Sequence, residues 1–223
     1  MPHRLPLVMV AFAFGSGASA LNLTDLDPEP AGSPPSLTLA DFDGDSPRVD
    51  GHSGAWRVVN DGVMGGLSIG DGRIEGGAMV FAGSINTNGG GFSSLRARDA
   101  SFDLSDFDGV SVRVRGDGRT YVVQLYTGLW YRFGDVSYRG TVRTESLVNA
   151  DGQEIGEDGR WQEVFIPFDD FVPMVRGMDV TGRVETLDRA RIKGLGLMLS
   201  DGIDGPFRLE VDWLMATRDG SSD

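Results

Sequence analysis

Apolar and polar positions alternate with a period of two through most of this chain. Val110, Val112 and Val114 alternate with Ser111, Arg113 and Arg115. Phe207, Leu209, Val211 and Trp213 alternate with Arg208, Glu210 and Asp212. This pattern predicts strands with one buried and one wet face. Further strands are predicted at 56–60, 74–82, 91–98, 120–127, 161–167 and 192–199. Gly-Asp-Gly, Asp-Gly and Asn-Gly pieces punctuate them, as tight turns with positive φ require. No long stretch has apolar spacing of three and four. Helix is therefore expected only as short turns, at 169–174 and 186–191.

The termini are patterned differently. Arg4, an apolar run over 5–14 and the small-x-small tripeptide Ala18-Ser19-Ala20 predict a signal peptide over 1–20. This implies a periplasmic or secreted protein. Residues 21–36 are polar and Pro-rich, the composition of a flexible linker. One folded domain is expected over 37–217, followed by a frayed tail over 218–223.

Composition narrows the function classes. The 223 residues carry 20 Lys+Arg against 33 Asp+Glu, a net charge of −13. Phosphate backbones and anionic membrane surfaces select the opposite charge, so neither is an expected partner. No stretch after the N-terminal run is long and apolar enough to predict a membrane span. With no Cys, disulfides, thiolate metal sites and cysteine nucleophiles are ruled out. The two His are His3 and His52. His52 sits in a Gly/Ser loop without a G-x-S-x-G elbow. Asp41-Phe-Asp-Gly-Asp45 clusters oxygens as calcium sites do, but its glycine and twelfth position do not fit an EF-hand. It reads as an acidic turn. No catalytic residue, metal site or cofactor is expected.

Two loops and one aromatic segment hold the candidate binding residues. The run Trp56-Arg-Val-Val-Asn-Asp-Gly-Val-Met-Gly-Gly-Leu-Ser68 combines turn chemistry with Gly65-Gly66. A second cluster follows at Phe81-Ala-Gly83 and Asn88-Gly-Gly-Gly-Phe-Ser-Ser-Leu-Arg96. These loops set Asn60, Asp61, Met64, Ser68, Asn88, Ser94 and Arg96 beside exposed backbone amides, able to bond a peptide or a sugar. Trp56 is expected in the core, with Asn60, Asp61 and Ser68 shaping the adjacent loop. The middle segment holds Tyr121, Tyr126, Trp130, Tyr131 and Tyr138, with Arg132 and Arg139. Adjacent strand residues point to opposite faces, so Trp130 and Tyr131 cannot both enter one core. Trp130, Tyr131 and Arg132 complete the candidate set.

These loop motifs resemble the complex I intermediate-associated protein 30 family. The likeness continues through Trp161-Gln-Glu-Val-Phe-Ile-Pro-Phe-Asp-Asp-Phe-Val-Pro173, Ile192-Lys-Gly-Leu-Gly-Leu and Gly205-Pro-Phe-Arg-Leu-Glu-Val-Asp212, covering about 39–216. It implies an all-β, galactose-binding-domain-like jelly-roll sandwich, and a role like that of mitochondrial assembly chaperones of respiratory complex I. A non-catalytic protein-binding module is thus expected, with a carbohydrate-binding module as the alternative. Parallel aromatic rings on a wet, concave face would favour sugar, and a broad apolar patch a protein partner.

Overall fold

The computed structural model describes residues 35–43, 56–145 and 161–218. All lie in the compact unit Pro34–Asp223. The expected leader over 1–20, linker residues 21–34, Asp45, His52 and tail residues 219–223 fall outside the described residues.

The regular structure of the described residues is nearly all strand. Its elements are β1 (Ser36–Asp41), β2 (Arg57–Asn60), β3 (Ile69–Glu75), β4 (Ala78–Ile85), β5 (Ser93–Phe102), β6 (Gly109–Arg115), β7 (Thr120–Tyr126) and β8 (Trp130–Tyr131). Then come β9 (Gly134–Asp135), β10 (Ser137–Arg143), β11 (Gln162–Pro167), β12 (Val172–Val175), β13 (Met178–Asp179), β14 (Ile192–Leu199) and β15 (Gly205–Thr217). Short 3-10 helices occupy Asp61–Met64 and Phe168–Asp170.

Two antiparallel sheets face each other as a jelly-roll sandwich. One has the order β11-β6-β15-β4-β3, with β1 also paired to β15. The other runs β13-β12-β10-β7-β14-β5-β2. The long β15 meets β4 along its first half and β1 along its second. The alternating apolar residues meet between the layers. Phe207 of the six-stranded sheet lies 4.8 Å from Phe81 and 6.4 Å from Tyr121 of the opposite sheet, ring centre to ring centre. Trp56 packs on this core, 5.7 Å from the Phe42 ring.

Several expectations are corrected. The stretch 74–82 is not one strand but the hairpin β3–β4. Gly76 (φ 59°) and Gly77 (φ 80°) make its two-residue turn, which needs positive φ at both positions. The turn expected at 169–174 is confined to Phe168–Asp170, and β12 follows directly. Residues 186–191 hold no helix. Arg191 N–H bonds Asp188 C=O at 3.1 Å and closes a turn.

Candidate functional site

Asp61 joins the two glycine-rich motifs. Its carboxylate is fully buried. Oδ1 accepts from Ser68 N–H at 2.9 Å, and Oδ2 from Ser68 Oγ–H at 2.6 Å. Oδ2 also accepts from Gly91 N–H at 2.6 Å and Phe92 N–H at 3.3 Å. Burial pushes its pKa up, but these bonds to the ionised form outweigh it and hold the group below its ordinary 3.8. Ser68 Oγ in turn accepts from Asn86 N–H at 3.0 Å.

The motif glycines follow from this packing. A Cβ at Gly66 would stand 2.3 Å from Asp61 Cγ, and one at Gly90 2.4 Å from its Oδ2. Asn60 completes the cluster by donating to Gly70 C=O and accepting from Ser93 Oγ. Asn60, Asp61 and Ser68 thus form an internal clasp whose hydrogen bonds are satisfied within the protein. Asn88 lies at the exposed turn beside it, its N–H bonded to Asn86 Oδ1.

The clasp displays an apolar ridge. Val63, Met64, Leu67 and Ile69 are each between 55% and 74% exposed. A seven-residue stretch holding four such side chains presents far more apolar surface than scattered single residues do.

Ser94 and Arg96 lie elsewhere, on the outer face of the seven-stranded sheet. Strand pairing sets Arg96, Gly196, Gln124, Arg139 and Val172 in one row across five strands. Arg96 Nε donates to Ser94 Oγ at 3.0 Å, and Arg139 Nε donates to Ser137 Oγ at 3.1 Å. Arg98 stacks 3.9 Å above the Tyr126 ring and pairs with Asp135 at 3.1 Å. The outward ring on this face is therefore capped by a guanidinium, and does not lie open as a platform for sugar.

Trp130, Tyr131 and Arg132 form the β8–β9 hairpin. Trp130 is exposed, with its Nε1–H donated to Arg132 C=O at 3.0 Å. Tyr131 packs toward the core, as adjacent strand positions require. Arg132 adopts φ 54° with its guanidinium 5.3 Å from the Tyr131 ring. Phe133 and Met178 add exposed apolar surface to this hairpin and β13.

The structure thus divides the sequence candidates among a clasp, a sheet face and a hairpin. Sequence reasoning missed Gln124 altogether. Its place between the core residues Val123 and Leu125 was the available sign that it points outward. Among the described residues, no cluster of three or more His, Asp or Glu could hold a metal ion.

Comparisons with known proteins give a family and a fold. The profile of the family described as complex I intermediate-associated protein 30 matches residues 41–211. The mouse mitochondrial protein of that name is 34% identical over 119 residues, which cover 52% of this chain and 32% of the mouse protein. The Caenorhabditis elegans protein named as its probable mitochondrial counterpart is 31% identical over 158 residues, covering 62% of this chain and 42% of the worm protein. The chain therefore spans less than half the length of these two relatives. Among solved structures, the family 11 carbohydrate-binding module of a Clostridium thermocellum cellulase superposes with a TM-score of 0.54 at 16% identity. That match covers 83% of this chain and 96% of the module; at such identity the likeness is one of fold. The relatives also overturn the expected periplasmic or secreted location, because they are named as mitochondrial. The N-terminal run behind that expectation lies outside the described residues.

Proposed function

We propose, since this chain belongs to the complex I intermediate-associated protein 30 family, that it is a non-catalytic protein-binding module acting in assembly of a respiratory complex. The observation that carries the reading is the ridge of Val63, Met64, Leu67 and Ile69, held outward by the buried Asp61 clasp. Exposed apolar side chains cost solubility unless a partner covers them. A rigid support beneath them lowers the ordering cost of docking. The family relatives are named for association with a complex I intermediate, and the ridge supplies a physical means of holding a client subunit.

The test is a Met64→Asp/Leu67→Asp variant returned to cells that lack the chain. Both positions are exposed, so the melting temperature should stay near wild type. Complex I, measured on native gels, should be restored by the wild type and not by the variant. Full restoration by the variant would remove the ridge from the function.

The fold likeness to a carbohydrate-binding module raises sugar as the second class of ligand. The guanidinium over Tyr126 and the exposed ridge favour protein instead.

A further inference from the structure

On the outer face of the seven-stranded sheet, Arg96 and Arg139 flank Gln124 in one row. Both have Nε tied to a serine two residues earlier. Among the described residues neither forms an ion pair. Between them, Gln124 Oε1 and Tyr126 Oη are buried without a hydrogen-bond partner. The Gln124 and Tyr126 side chains are almost fully covered.

This arrangement carries a standing cost. Buried polar atoms in folded proteins are nearly always bonded. Here two lie side by side without partners. Burial disfavours the charged Arg139 guanidinium; Tyr126 offsets this in part, and the Arg96 charge adds to it. Arginine does not shed its proton, so the cost remains in the folded state. Tyr126 is held in its protonated form by burial, against the pull of Arg96, Arg98 and Arg139, and so keeps an O–H to donate. Gly196 is the β14 member of the row, and a Cβ there would stand 2.9 Å from Gln124 Oε1, so only glycine lets that oxygen lie beside the strand.

From this convergence we propose a carboxylate-binding site formed by Arg96, Arg139, Gln124 and Tyr126, which takes an acidic residue of a partner polypeptide. The guanidiniums supply the counter-charge and planar N–H donors that a carboxylate fits. Tyr126 Oη–H adds a third donor. The unpartnered Gln124 Oε1 takes a donor in return, and the N–H groups of a peptide lie close to its acidic side chains. The site rests on the protein-binding reading only in taking its carboxylate from a partner chain.

The experiment is calorimetric titration of the purified full chain with hexaglutamate, beside inorganic phosphate and cellohexaose. The chain's net charge of −13 repels anions in general, so binding must come from a local site. Hexaglutamate should bind, and bind more weakly as salt rises. Arg96→Gln/Arg139→Gln should lose at least about tenfold in affinity. Arg73→Gln, at an exposed pair on β3, should bind as the wild type does. The Arg96→Gln/Arg139→Gln variant should also melt no lower than wild type, because it removes two charges that lack a counter-ion. A purely structural pair would instead lower the melting temperature. No hexaglutamate binding, equal binding by the double variant, binding of phosphate or cellohexaose alone, or a lowered melting temperature would each overturn the proposal. Purified chain and synthetic peptide need no client subunit, so the result is separable from that of the ridge.

Discussion

The two outer faces of the sandwich carry the same cation in opposite electrical settings. On the six-stranded sheet, Arg113 pairs with Asp212 at 2.5 Å, and Arg208 pairs with Glu210 at 2.8 Å. Arg115 bonds the same Glu210, and Trp161 lies 5.2 Å from its guanidinium. On the seven-stranded sheet, Arg96 and Arg139 lean on serines, beside two buried polar atoms that lack partners. Strand alternation puts arginine outside on both faces. On the second face Asp135 answers Arg98, but among the described residues no acid pairs with Arg96 or Arg139. A surface that closes its own bonds contributes stability, and one that leaves them open is arranged for something that arrives later. The Asp61 clasp is the extreme of the closed kind, with four hydrogen bonds on one carboxylate.

The strongest way to break this contrast is at the clasp. Asp61→Ala strands four donors, two of them in buried bonds and two in part-buried ones, and should cost on the order of 4 kcal/mol in denaturant unfolding. A loss below about 1 kcal/mol would mean that the clasp does not hold the loops. Next is Glu210→Gln, which leaves Arg115 and Arg208 without their shared acid. It should cost about 2 kcal/mol, since removing one member of a covered pair exposes the other charge's desolvation.

Acid sharpens the comparison more gently. The folded pKa of Asp61 is depressed, so its contribution is fully present above the unfolded value near 3.8 and is lost as pH falls through the lower folded value. Thermal melts taken downward from about pH 5 should therefore fall more steeply for wild type than for Asp61→Asn. The smallest effect is expected on the open face. Arg96→Gln/Arg139→Gln should leave stability unchanged or slightly raised, the reverse in sign of Glu210→Gln.

The legible parts of the chain were those whose pattern is local. Strand 192–199 was readable because Leu195, Leu197 and Leu199 repeat with a period of two, with Ile192 joining the same buried face across a register shift. Strand β10 was not, because Gly140 interrupts its buried face and Arg139, Thr141 and Arg143 point outward. Its absence hid the partner that Arg139 makes with Arg96. Strands β8, β9 and β13 have two residues each, too few to show a period. The Asn60–Ser68 motif announced a shaped loop. Its link to Gly91 spans 30 residues, and only the fold shows that one carboxylate holds both motifs.

Partners are expected to meet the ridge and the open face, and not the closed one. A photo-cross-linking amino acid placed in turn at Met64, Thr141 and Glu163 tests it during complex assembly in cells. Thr141 lies on the outer face of the seven-stranded sheet and Glu163 on that of the six-stranded sheet. Cross-links to one assembling subunit are expected from positions 64 and 141, and none from 163. Cross-links from 163 alone would contradict it.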